Sequence, residues 1–148
     1  MTGEERYPLP RAVIFDDTAA LALGAGNSMA SRLVVEAEKD PALRVYIPAV
    51  SLVAAERERA GVAEHVGALP SVNIEALDFA AAAAVGKRLR LAKGRAEDGK
   101  DEPDWSGAHV LRLALPTVEW PRGRAVLTRT PMRYRGTGIR TIRIVEQN

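Results

Sequence analysis

Residues 12–17 read AVIFDD, an apolar run that ends abruptly in two aspartates. Four consecutive apolar residues without polar alternation predict a strand that is buried on both faces. Further short strands are predicted at 45–47, 72–74, 124–128 and 139–145. Because helical segments separate most of these strands, we predict a three-layer α/β/α domain with a central, mostly parallel sheet of four or five strands.

Capping residues delimit the helices between these strands. Asn27 precedes one predicted helix and Asp78 another, since their side chains accept hydrogen bonds from the exposed N–H groups of a first turn. The Ala-rich helix that starts at Asp78 is expected to bury a stripe that begins at Phe79 and includes Val85. The predicted helices cover residues 18–23, 28–39, 51–60, 62–68, 78–93 and 104–115.

The composition indicates one globular domain. The chain has 148 residues, of which 47% are hydrophobic and 27% charged, so it is long enough and apolar enough to bury a core. It has no cysteine, which excludes disulfides, cysteine-ligated metals and thiol catalysis. We expect residues 1–11 to form a flexible N-terminal arm and residues 12–148 a single domain. Without a signal-peptide core or a membrane-length apolar run, a cytoplasmic location is expected.

Charge is distributed unevenly along the chain. Residues 1–120 carry a net charge of −4, whereas residues 121–148 contain seven arginines and one glutamate, a net charge of +6. A basic segment on a mildly acidic body favours a surface that meets an anionic partner. The alternative is a strand and turns whose arginines are simply solvated.

Three carboxylates fall where parallel sheets bind ligands, at or near the carboxyl ends of predicted strands. Asp16 ends the first strand, Glu56 lies in the helix after the second, and Asp104 begins a later helix. Glu56 is predicted to share a face with Leu52 and Val53, where a carboxylate needs a partner. Each residue also has an ordinary explanation: an N-cap for the two aspartates, and a different helix phase or a salt bridge for the glutamate.

If these carboxylates converge, their mutual repulsion calls for a cation between them. Mg²⁺ or Mn²⁺ prefers oxygen ligands, keeps bound water and leaves room for a phosphate group. The sequence therefore predicts a Mg²⁺ (or Mn²⁺) site at Asp16, Glu56 and Asp104. Two other metal-ligating side chains, His65 and His109, have no partners at ligand spacing and are predicted to be ordinary surface residues.

The order of these residues resembles that of PIN-domain proteins, similar to the VapC-like ribonuclease toxins of bacterial toxin–antitoxin pairs. VIFDDTAAL resembles the first motif, an Asp followed at the second position by Ser or Thr, here Asp16 and Thr18. YIPAVSLVAAE resembles the second motif and places its acid at Glu56. DWSGAHVLRLA resembles the third, with its acid at Asp104, and AVLTRTP the fourth, a strand that ends in Thr128.

This resemblance spans about residues 12–145 and implies a PIN-like fold and a magnesium-dependent endoribonuclease that hydrolyses RNA phosphodiester bonds. The three carboxylates would hold Mg²⁺ directly or through water, and two threonines would act as hydroxyl donors near the metal or the substrate. The residues to which the resemblance assigns a catalytic role are Asp16, Thr18, Glu56, Asp104 and Thr128.

The resemblance also implies partners. Arginines of the basic C-terminal segment would bind RNA backbone phosphates, with Arg129 and Arg133 as the first candidates because they flank the fourth motif. A cognate antitoxin protein and a homodimer are implied as well, and no membrane partner.

One position departs from the family pattern. An acidic residue usually follows the segment VLTR, and here that position is Thr130. A second interpretation is therefore a catalytically degenerate PIN domain that acts as a nucleic-acid-binding or protein-interaction module. Metal-dependent RNA cleavage by the purified chain separates the two interpretations.

Overall fold

A computed structural model describes residues 11–93 and 102–146 of the chain. The predicted N-terminal arm lies outside these residues, except that Arg11 already belongs to the first strand. The described part contains five strands, six α-helices and one 3₁₀ helix: β1 (Arg11–Phe15), α1 (Asp17–Gly24), α2 (Ser28–Lys39), β2 (Leu43–Pro48), α3 (Ala49–Glu58), α4 (Val62–Gly67), β3 (Val72–Glu75), α5 (Phe79–Lys93), α6 (Trp105–Ala114), β4 (Ala125–Thr128), the 3₁₀ helix (Pro131–Tyr134) and β5 (Thr141–Arg143).

The five strands form one sheet in the order β3-β2-β1-β4-β5, and every neighbouring pair is parallel. This confirms the predicted α/β class and the parallel sheet. The chain builds outward from β1 to β3 on one side and then returns to add β4 and β5 on the other. The order therefore reverses between β1 and β4, and ligands of parallel sheets bind at the carboxyl ends of strands at such a reversal.

Alternate residues of β1 point into two separate cores, which is why residues 12–15 include no polar residue. Val13 and Phe15 pack with α1 and α2 on one face of the sheet. Ile14 packs on the other face, with residues of α6 and the ring of Tyr134. Because helices cover both faces, the fold has the predicted three layers.

Helix starts agree with the capping analysis at Asn27, whereas α3 begins at Ala49 rather than at residue 51, and one buried stripe differs from the prediction. The Asn27 side chain accepts a hydrogen bond from the Ala30 N–H at the start of α2, as predicted. In α5 the buried residues are Ala81 and Val85, whereas Phe79 is 91% exposed. The prediction for Phe79 was wrong, because the first residue of a helix is free to point away from the layer that its later turns contact. No helix of the described segments is long and apolar enough for a membrane crossing.

His109 is not the surface residue that the sequence predicted. Its side chain is fully buried in α6, and neither ring nitrogen has a hydrogen-bond partner among the described residues. Burial lowers the pKa of His109, and the nearby charge of Asp78 opposes that shift only partly. The folded state therefore favours the neutral ring.

We expect Gly123 to be required for folding, because its φ of +72° and its surroundings both exclude a side chain. An added Cβ would lie 2.3 Å from the carbonyl oxygen of Ala114. Gly123→Ala should lower the free energy of unfolding by about 1–3 kcal/mol, measured by urea titration. The matched control is Gly86→Ala in α5, where an added Cβ meets nothing within 4 Å, so stability should stay equal or rise by up to about 1 kcal/mol. Equal losses in both variants would contradict this account.

The buried His109 predicts a pH dependence of stability. Since its pKa lies below 6.5 in the folded state, the unfolded chain takes up the proton first, and stability falls as the pH drops below about 6.5. His109→Leu removes the titrating group and both unpartnered nitrogens, so its free energy of unfolding should change less between pH 7 and pH 5 than that of the wild type. Parallel pH profiles of the two proteins would show that His109 does not cause the dependence.

Candidate functional site

Asp16 occupies the point where the sheet order reverses. Its side chain is fully buried, directly after β1, and acts as the N-cap of α1. One carboxylate oxygen, Oδ1, accepts hydrogen bonds from the Ala19 N–H at 3.0 Å and from the Thr18 hydroxyl at 2.6 Å. The other oxygen, Oδ2, accepts one from the Tyr134 hydroxyl at 2.7 Å and faces Arg133 Nη1 at 3.4 Å. The buried carboxylate is thus fully engaged by protein groups.

Asp104 lies beside Asp16 because α6 starts at the same end of the sheet. Its Oδ1 accepts a hydrogen bond from the Gly107 N–H at 2.9 Å, so it is an N-cap as well. Arg133 donates to both of its oxygens, from Nε to Oδ2 at 2.8 Å and from Nη2 to Oδ1, in the two-pronged geometry of strong arginine–carboxylate pairs. Gly107 makes room for this pair, since an added Cβ would lie 2.1 Å from Asp104 Oδ2.

Asp17 completes a group that we call the aspartate–arginine cluster: Asp16, Asp17, Asp104 and Arg133. Arg133 Nη1 also donates to Asp17 Oδ1, and that oxygen accepts a further hydrogen bond from the Ser106 hydroxyl at 2.8 Å. One guanidinium therefore contacts three carboxylates. Its side chain is only 19% exposed, so these contacts are poorly screened by solvent.

Three threonine hydroxyls line the adjoining end of β4. Thr18 Oγ1 lies 3.3 Å from Thr128 Oγ1, which in turn lies 3.3 Å from Thr130 Oγ1. Thr18 also accepts a hydrogen bond from the Arg129 N–H. Thr18 and Thr128 thus lie together beside Asp16, and Thr130 contributes a hydroxyl in place of a carboxylate.

The pKa shifts reflect these contacts. Burial raises the pKa of Asp104, but the hydrogen bonds from Arg133 and Gly107 outweigh it, so the pKa lies below its usual value. Burial alone would lower the pKa of Arg133. Its hydrogen bonds to Asp104 and Asp17 have the larger effect, so the pKa lies above its usual value. Burial, followed by the negative charge of Asp16, raises the pKa of Tyr134, so its hydroxyl keeps its proton and stays a donor.

Glu56 does not join the cluster, which corrects the sequence prediction. Its Oε2 accepts a hydrogen bond from the Gly61 N–H at 2.8 Å, and its Oε1 accepts one from the Ala63 N–H at 3.0 Å. These two bonds lower its pKa. The carboxylate therefore stabilises the turn from α3 into α4.

The physical reason is the phase of α3. This helix buries Ser51 and Ala55. Ser51 Oγ lies 2.8 Å from Oγ of Ser106, the residue that donates a hydrogen bond to Asp17. Glu56 follows Ala55 by one residue, which rotates it by about 100° around the helix axis. The inward positions of α3 are therefore Ser51 and Ala55, whereas the prediction had assigned the inward face to Leu52 and Val53, of which Val53 is 61% exposed.

The residues present do not fit the predicted Mg²⁺ site in this arrangement. Within residues 11–93 and 102–146, no group of three or more histidines, aspartates or glutamates is placed to hold a metal ion. Five of the six carboxylate oxygens of the cluster already accept hydrogen bonds: both of Asp16, Oδ1 of Asp17 and both of Asp104. A metal ion would first have to displace Arg133.

Arg129 and Arg133 were both predicted to bind RNA phosphates, and the structure gives each a protein partner. Arg133 points into the cluster. Arg129 Nε donates to Glu146 Oε1 at 2.6 Å, in a pair that is partly exposed. In this arrangement neither guanidinium is free for a phosphate.

A groove of about 650 Å³ opens beside the cluster. Asp104 and Arg133 lie on one side of it, Leu111 contributes an apolar wall, and Trp105 is 53% exposed at its border. Sequence reasoning missed this groove, because the tryptophan was not considered as a contact residue. It also missed Tyr134, Gly107 and Ser106; only the tight spacing DWSG hinted that small residues follow Asp104.

Loss of the Tyr134 hydroxyl should destabilise the protein because it leaves buried Asp16 with one donor fewer. We expect Tyr134→Phe to lower the free energy of unfolding by about 1–3 kcal/mol in urea titrations at neutral pH. The matched control is Tyr46→Phe, because the Tyr46 ring is buried while no hydrogen bond of its hydroxyl occurs among the described residues. A Tyr46→Phe loss as large as that of Tyr134→Phe would contradict the importance assigned to this bond.

Comparison with known proteins supports the fold. No protein-family profile matches the sequence, and no curated protein matches it. Among solved structures, the fold is similar to the crystal structure of VapBC2 from Rickettsia felis bound to a DNA fragment from their promoter. The TM-score is 0.54, the sequence identity is 10%, and the match covers 89% of this chain and 98% of the other. The two chains share a PIN-like α/β fold, as predicted.

Proposed function

We propose that the chain is a PIN-like domain that binds single-stranded RNA and does not cleave it by a metal-dependent mechanism. The observation that carries this proposal is the guanidinium of Arg133, which contacts Asp16, Asp17 and Asp104 where the ribonuclease hypothesis requires a metal ion. That hypothesis also required Glu56, whose carboxylate is engaged elsewhere. Of the two interpretations of the sequence, the catalytically degenerate one fits these contacts better.

Exposed arginines of the C-terminal segment supply the binding surface. Arg124 is buried against the Tyr46 ring, and Arg129 and Arg133 have carboxylate partners. Four other arginines are exposed, and the described residues offer them no ion pair. Arg143 is the last residue of β5, the edge strand of the sheet, and Arg140 directly precedes this strand, so phosphates of an extended chain have access to both. The four are Arg122, Arg135, Arg140 and Arg143.

The groove favours a single strand over a duplex. Unpaired bases can stack on an exposed aromatic ring, and Trp105 offers one at the border of the groove. The 3₁₀ helix packs against β5 and places Arg133 and Tyr134 at the groove. This segment therefore connects the groove with the exposed arginines at β5. The similar VapBC2 structure holds a DNA fragment, which is a precedent for a nucleic-acid partner on a related assembly.

Three further expectations from the sequence accompany this proposal. The similarity to VapBC2 supports an antitoxin-like partner protein in general terms. A homodimer and a cytoplasmic location stay predictions.

Binding should be electrostatic and should depend on the arginines beside β5. We expect fluorescence anisotropy to show binding of a labelled 20-nucleotide RNA whose affinity falls steeply with salt. Arg140→Ala/Arg143→Ala should weaken binding about tenfold or more at low salt and make the slope of log K against log salt shallower by about 1.4, or 0.7 for each lost phosphate contact. Arg32→Ala/Arg44→Ala, which removes two exposed arginines elsewhere, is the matched control and should change affinity far less.

Three outcomes would overturn the proposal. Equal losses in both double variants would show that only net charge matters. Tighter binding of a DNA duplex of the same length would replace single-stranded RNA by DNA as the partner. RNA cleavage that requires Mg²⁺ and disappears in Asp16→Ala and Asp104→Ala would restore the ribonuclease hypothesis.

A further inference from the structure

We propose that Arg133 is the protein's own counter-ion for the cluster, standing where a divalent cation would otherwise be needed. The native chain then has no divalent-cation site at these carboxylates, and loss of Arg133 creates one. This inference shares with the proposed function the premise that Arg133 takes the place of a metal ion, but it does not require RNA binding, since it concerns only the cation that joins Asp16, Asp17 and Asp104.

The position of the guanidinium is the first argument. Three carboxylates from two distant parts of the chain meet at the reversal of the sheet order. They all contact one guanidinium, and like charges that lie so close together repel one another. Arg133 is the cation that contacts all three. It reaches them from the 3₁₀ helix, whose tight turn directs two successive side chains, Arg133 and Tyr134, onto the same carboxylate of Asp16.

The spacing around the guanidinium is the second argument. Nitrogen–oxygen distances of 2.8 Å to Asp104 and 3.4 Å to Asp16 hold the carboxylates around a flat group several ångströms wide. Divalent cations need oxygen ligands at about 2.0–2.6 Å. While Arg133 is in place, its nitrogens occupy the space between the carboxylates, which agrees with the absence of a ligand group among the described residues.

Exposure of one carboxylate is the third argument. Asp16 is fully buried and fixed by Thr18 and Ala19, whereas the Asp104 side chain is 48% exposed. Without the fork from Arg133, the Asp104 carboxylate keeps only the Gly107 N–H as a partner, so its other oxygen is open to an ion near Asp16 and Asp17. A divalent ion with bound water would then relieve the repulsion that the guanidinium now neutralises.

The test is metal binding and thermal stability of Arg133→Met, whose apolar side chain has a similar length. The wild type should show no heat of Mn²⁺ binding, and its melting temperature should be the same in EDTA and in Mn²⁺. Arg133→Met should melt at a lower temperature in EDTA, bind one Mn²⁺ per chain, and regain about 5–10 °C when Mn²⁺ is present at about 100 times its dissociation constant. Arg133→Met/Asp104→Asn should lose that rescue.

The wild type alone also tests the inference, in case the variant does not fold. Paramagnetic Mn²⁺ broadens NMR signals near its site, and the amides of Thr18, Ala19 and Gly107 should keep their intensity at millimolar Mn²⁺. Broadening of these amides, or a folded Arg133→Met that neither binds Mn²⁺ nor gains stability from it, would overturn the inference. Neither result bears on RNA binding, which the anisotropy measurements test on their own, whereas broadening of the wild-type amides would also remove the argument against metal-dependent cleavage.

Discussion

One guanidinium satisfies three carboxylates at the carboxyl end of the sheet, and the architecture of the site depends on it. Without a cation, Asp16, Asp17 and Asp104 could not share this space, because a buried carboxylate is costly unless it is paired and hydrogen-bonded. Arg133 meets this requirement with three donor nitrogens. The hydroxyls of Tyr134 and Ser106 satisfy further oxygens of the same carboxylates. The cluster is therefore a closed polar network, and such networks are strongest when every member has a partner.

The sheet that brings these residues together could be predicted from local sequence. AVIF has no polar alternation because β1 is the central strand and is covered on both faces, and Asn27 and Asp104 mark helix starts by the hydrogen bonds that they accept. Each of these signals is contained in a few neighbouring residues. That locality explains why the positions of Asp16 and Asp104 followed from the sequence and why the edge position of β5 did not.

The direction of individual side chains was harder to predict because it depends on contacts between distant segments. The prediction for Glu56 was wrong by one residue of helix phase, because Ala55 is the buried position and the carboxylate next to it stabilises a turn. A helix with short apolar residues on several sides gives no strong periodic signal, so its buried face is set by what packs against it. In the same way, the sequence alone could not show whether Arg133 points into the fold or out to solvent.

This uncertainty changes how the basic C-terminal segment is interpreted. Its net charge of +6 includes arginines that are engaged within the fold and are therefore not available to a partner. Arg124 lies over the Tyr46 ring at 4.7 Å and donates to the Leu113 carbonyl, so its charge is used within the fold. Arg133 neutralises carboxylates, and Arg129 pairs with a glutamate. What remains for an anionic partner is a set of four exposed arginines, two of which lie at the edge strand. The same residue type thus has two physical roles in one segment, and burial decides which arginine has which.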